Sequence, residues 1–143
     1  MKQKQVLSIK QMKYLQDLGL DTSDASMYYV RRSHGVKIDD DSKGEWFLSL
    51  QEEFMVCGFL SYEILPAFTL QDILEKLPRK IETETDTYWL TVSLDMEVWY
   101  ICYSMSEEFD YYKEFKSESL LEAAYNMLCW CAENGYLNNN QTK

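Results

Sequence analysis

Apolar residues recur along this chain with two periods, one helical and one alternating. Ile9, Met12 and Leu15 form a stripe at helical spacing, with Leu18 near its end. Ser8 and Gln11 supply a capping box in front of it, Leu7 is placed to staple onto Met12, and Gly19 stops the turn. A second helix is predicted after Thr69. Asp72 stands in for the Glu of a capping box, Phe68 faces Ile73 across the entry, and Pro78 ends the element after Leu77. A third begins at Ser119 with Glu122, runs to about Asn134 and closes at Gly135, with Tyr136 placed against Cys131 as in a Schellman cap. Between Leu120 and Ala132 only Glu122 and Asn126 are polar, so this helix is expected in the centre of the fold or at an oligomer contact.

The alternating stretches read as strands. Tyr88–Leu94 and Val98–Tyr103 predict a hairpin turned at Asp95-Met96, with Leu94 opposite Glu97. In that register Tyr88, Leu90, Val92 and Leu94 share a core face with Trp99, Ile101 and Tyr103. The other face carries Trp89, Thr91, Ser93, Val98, Tyr100 and Cys102, more apolar than a bare solvent face. Phe109–Phe115 alternates well enough for a further strand. Met27–Arg31 and Glu45–Leu50 suggest a second hairpin across a polar loop, and Arg31-Arg32-Ser33-His34-Gly35 reads as a turn. Residues 52–66 fit no single pattern, and Gly58 within them suits a bulge or a turn. The expected class is α+β: an antiparallel sheet of about 4–5 strands, with three helices packed mainly on one face. One domain is expected over residues 1–137, followed by a polar tail at 138–143.

Charge narrows the range of partners. Fourteen Lys and Arg against 24 Asp and Glu give a net charge of −10. Residues 1–80 hold 11 basic and 12 acidic side chains, whereas residues 81–143 hold three Lys against 12 acids, net −9. Phosphate backbones require clustered cations, so nucleic acid and anionic membrane surfaces are not the expected partners. The N-terminus lacks the apolar core of a signal peptide, and the longest uncharged, mostly apolar run, Ala123–Ala132, is half of what a membrane span of about 20 residues needs. A cytoplasmic protein is expected. Cys57, Cys102, Cys129 and Cys131 fit free thiols in a reducing compartment better than a zinc site, which calls for two Cys-x-x-Cys or Cys/His pairs.

Catalytic constellations are scarce. Asp39-Asp40-Asp41-Ser42-Lys43-Gly44 begins like a calcium loop, but Lys43 occupies a ligand position and Leu50 replaces the closing Glu. His34 is the single histidine and has no nucleophile motif beside it. Five ungrouped glycines cannot build a phosphate-cradling loop. Carboxylate pairs such as Glu107-Glu108 carry no information in so acidic a chain. No catalytic residue, metal ligand or cofactor is therefore expected.

Aromatic residues are abundant: 11 Tyr, four Trp and six Phe. Tyr and Trp favour interfaces because they join large apolar area to a polar tip. Trp89, Tyr100 and Val98, together on the second face of the predicted hairpin, are the expected contact residues. Three stretches, Leu15–Ser23, Leu65–Pro78 and Ser119–Trp130, resemble small uncharacterised proteins carried by phages and other mobile elements of gut bacteria. That resemblance implies one domain throughout and brings no activity with it. The expectation is a non-enzymatic accessory protein that binds a host protein or its own copy, with an acidic decoy of a DNA-binding defence protein as a special case. The alternative is an enzyme or small-ligand module with a pocket between helix and sheet.

Overall fold

A computed structural model describes residues 5–33, 46–50, 61–105 and 111–137. His34, Asp39–Gly44, Cys57, Gly58, Glu107-Glu108 and the 138–143 tail, each singled out above, lie outside them. The class is α+β, and the chain divides into two compact units, Val6–Thr69 and Leu70–Lys143 with Met1–Gln5. Among the described residues seven strands form two antiparallel sheets, of three and four strands, where the sequence pattern grouped four or five into one.

In the first unit, α1 (Ile9–Asp17) begins on a complete capping box. The Gln11 amide donates to Ser8 Oγ at 3.1 Å, and the Ser8 amide donates to Gln11 Oε1 at 2.9 Å. It closes on Gly19 at φ 89°, with Gly19 N–H bonded to the Gln16 carbonyl and Leu20 N–H to that of Leu15. Strand β1 (Met27–Ser33) lies between β2 (Phe47–Ser49) and β3 (Ser61–Ala67). The pairing Ser33↔Ser61 keeps Arg31–Ser33 in the strand, so the turn expected there does not form at those three residues. The helix packs on β3, with Leu7, Met12, Leu15, Val30, Ala67 and Phe68 fully buried. Tyr29 Oη donates to the Leu7 carbonyl at 2.6 Å, tying the sheet to the segment that leads into α1.

The second unit holds α2 (Leu70–Lys76), β4 (Lys80–Glu82), β5 (Thr87–Asp95), β6 (Val98–Ser104), β7 (Tyr111–Ser117) and α3 (Leu120–Glu133). The four strands are paired in chain order. Helix α3 starts where Ser119 Oγ accepts from the Glu122 amide at 3.2 Å. It ends in the expected Schellman cap: Gly135 sits at φ 82°, and Tyr136 N–H bonds the Cys131 carbonyl at 2.9 Å. Its apolar length packs on β6 and β7 and against α2, burying Leu121, Ala124, Met127, Leu128 and Cys131. Among the described residues no helix is long and apolar enough to cross a membrane.

The β5–β6 hairpin departs from expectation at its turn. Asp95 pairs with Val98 and Leu94 with Trp99, so Met96-Glu97 form the turn in place of Asp95-Met96. Moving a two-residue turn by one position moves every cross-strand pair by two, which leaves the side-chain faces as predicted. Burial follows only part of that face. Ile101 and Tyr103 are fully buried, but Val92 and Leu94 are exposed, because α3 lies over β6 and β7 and leaves the outer part of β5 uncovered.

Candidate interaction surface

Helix α3 packs on one face of the four-stranded sheet, through β6 and β7. On the helix side, Tyr103 Oη donates to the Pro78 carbonyl at 2.7 Å, joining β6 to the end of α2. A register shift at Tyr103/Ser104 places both Tyr112 and Lys113 of β7 toward α3. Tyr112 stacks on Tyr88 at 4.8 Å and meets the edge of Trp130 at 6.0 Å, while Lys113 Nζ lies 5.8 Å from the Trp130 ring. Tyr136, just beyond α3, packs on Trp130 at 5.0 Å and shares a 2.7 Å hydroxyl contact with Tyr112. That hydrogen bond, with some burial, pushes Tyr136 up to about 12. Much of the aromatic excess is thus spent on this cluster, which clamps the C-terminal end of α3 to the sheet.

The thiols are consistent with a structural part. Cys102, Cys129 and Cys131 are free and buried. Burial pushes Cys129 up to about 11 and Cys131 up to about 12, the latter despite a Tyr103 hydroxyl 4.0 Å from its sulfur. Burial also raises Cys102. Held as neutral thiols, they are poor nucleophiles and poor metal ligands at neutral pH. Among the described residues no three His, Cys, Asp or Glu side chains converge as a metal-holding group.

The other face carries the three expected contact residues. Pairing sets Lys80, Trp89, Ser104 and Tyr111 in one row across β4 to β7, and Ser93, Tyr100 and Lys116 in another nearer the turn. Trp89 is 47% exposed, with Lys80 Nζ 5.4 Å from its ring, and Lys80 also pairs with Glu82 at 2.8 Å. Tyr100 and Val98 are half-buried. Cys102 and Ser104 are buried, and the Ser104 hydroxyl lies 3.4 Å from that of Thr91. Sequence reasoning passed over Tyr111, which is as exposed as Trp89 and lies across Ser104 from it. The register shift in β7 is what turns it to this side, and alternation alone does not reveal a shift.

Two further features lie outside that face. The hairpin turn projects Met96, 90% exposed, beyond Leu94, 53% exposed. Along α2, Leu70, Leu74 and Leu77 floor a groove of about 500 Å³, bordered by Gln71, Glu75 and Arg79. No protein-family model, curated protein or solved structure matches the chain.

Proposed function

We propose that this chain is a non-enzymatic binding module whose contact surface is the face of the β4–β7 sheet opposite α3. Trp89, Tyr100, Val98 and Tyr111 are its contact residues. The observation that carries the reading is the pair Trp89 and Tyr111, each 47% exposed on a face that neither α2 nor α3 covers. Large amphipathic rings held on a rigid sheet lose little side-chain entropy on binding, which suits them to anchor a contact. The partner is a host protein or a second copy of the chain. The net charge of −9 over residues 81–143 favours a basic one, an acidic decoy of a DNA-binding defence protein being the special case.

The test is an affinity pull-down of tagged protein from a lysate of the cells that make it, read by mass spectrometry and repeated with Trp89→Ala and Tyr100→Ala. Either substitution is expected to weaken a stoichiometric partner by about 1–3 kcal/mol while leaving the melting temperature near the parent value. Equal losses of binding and melting temperature would mark the two residues as structural.

A second reading rests on the α2 groove: a small-ligand module whose ligand has an apolar body on Leu70, Leu74 and Leu77 and an anionic end toward Arg79. A metabolite screen by thermal shift separates it from the first, since a ligand at 100 times its dissociation constant adds about 2.7 kcal/mol of stability.

A further inference from the structure

Met96 has a combination of properties that folding alone does not account for. Among the described residues it is the one non-glycine residue with positive φ, at 60°. With Glu97 not in that region, the φ signs are those of a type II′ turn, whose first central position belongs to glycine. A side chain there is strained against its own backbone, and burial of the Met96 side chain does not offset the strain, because it is 90% exposed. Glycine at this position would make a better turn.

The surroundings extend the feature. Leu94 and Val92, on β5 beyond the three residues that β4 pairs, are 53% and 38% exposed, and Trp99 opposite Leu94 is only half-buried. The apolar tip is bordered by carboxylates. Asp95 and Glu97 flank Met96, and Glu118 follows Ser117, the β7 residue paired with Trp99. Methionine is flexible and polarisable, so it fits irregular apolar pockets well.

We infer that the β5–β6 turn is a docking prong: Met96, backed by Leu94, inserts into an apolar pocket on a partner protein whose rim is cationic. Charge complementarity selects that occupant. Asp95, Glu97 and Glu118 repel an acidic rim, and the 81–143 half of the chain carries net −9, which steers a basic surface toward the tip. The inference rests on the reading of the chain as a protein-binding module but uses a different surface from Trp89.

The experiment compares the wild-type chain with Met96→Gly, Met96→Leu and Trp89→Ala. Binding is measured against the protein captured from lysate, at 50 and 300 mM NaCl. Met96→Gly is expected to raise the melting temperature by about 3 °C as strain is released, yet to weaken binding at least tenfold. Met96→Leu, which keeps the apolar bulk, is expected to stay within about threefold of wild type. Wild-type binding is expected to fall several-fold at the higher salt. Full binding by Met96→Gly, or binding indifferent to salt, overturns the prong. If Trp89→Ala alone abolishes such binding, the module stands and the prong falls; if no variant captures a partner, both fall.

Discussion

At the scale of single residues, protonation reports on the buried thiols and on the aromatic cluster at the end of α3. Cys129, Cys131 and Tyr136 all have native values above their unfolded ones: about 11 and 12 against 9.0 for the thiols, and about 12 against 10.0 for the phenol. A raised value means that the native state holds its proton longer than the unfolded state does. The associated stability is complete below pH 9 and is lost as pH rises through 9 toward 12, where the unfolded chain ionises first. Tyr103, whose hydroxyl is buried on the Pro78 carbonyl, shifts in the same direction. The midpoint of urea denaturation is therefore expected to be level between pH 7 and 8.5 and to fall steadily by pH 10.5. A midpoint unchanged at pH 10.5 would mean that the native state holds these protons no more tightly than the unfolded one, whether by burial of the thiols or by the Tyr112 hydroxyl beside Tyr136.

At the scale of elements, α3 shows which signals sequence carries well. Both of its ends are set by local chemistry: Ser119 Oγ on the Glu122 amide at the start, and Gly135 at φ 82° in the closing cap. Ser119→Ala should cost about 1 kcal/mol by leaving a terminal amide without its acceptor. Gly135→Ala should cost about the same for a different reason. A Cβ there would meet nothing within 4 Å, so the penalty is the left-handed backbone itself. The two sites stand at opposite ends of a 14-residue helix, about 21 Å long, and the double variant is expected to lose about 2 kcal/mol in urea denaturation. Coupling beyond about 0.5 kcal/mol would show that the cap and the start of the helix share a common neighbour. The first helix was legible for the same reason, because Ser8, Gln11 and Gly19 act within a few residues of one another. The hairpin faces were also legible, since period-two alternation survives a turn displaced by one residue. Sheet membership was not. That β3 pairs with β1 while β4 to β7 form a separate sheet depends on contacts distant in the chain. The three-residue β4 is too short to show a period. Tyr111 escaped notice because the shift that turns it to the face of Trp89 is made by pairing with β6.

At the scale of the whole molecule, the charge of −10 sets a test of its own. Like charges on a compact chain repel one another more than they do when the chain is unfolded and the charges are further apart, so the imbalance opposes folding. Attractive pairs act the other way. Arg31 with Glu63 at 2.7 Å and Lys80 with Glu82 at 2.8 Å are partly exposed, and such pairs contribute at most about 1 kcal/mol each. Salt weakens both effects, shortening the screening length from about 30 Å at 0.01 M to about 8 Å at 0.15 M. Pairs in contact lie well inside either length, whereas repulsion summed over the 81–143 half acts at distances that the shorter length cuts off. Repulsion is therefore the larger loss, and the melting temperature is expected to rise by about 2–4 °C between 10 and 200 mM NaCl. A scanning calorimetry series across that range measures it. A falling melting temperature would mean that the carboxylates are neutralised by close cationic neighbours. The half with net −9 would then present little field to a basic partner, and the charge argument for one would go with it.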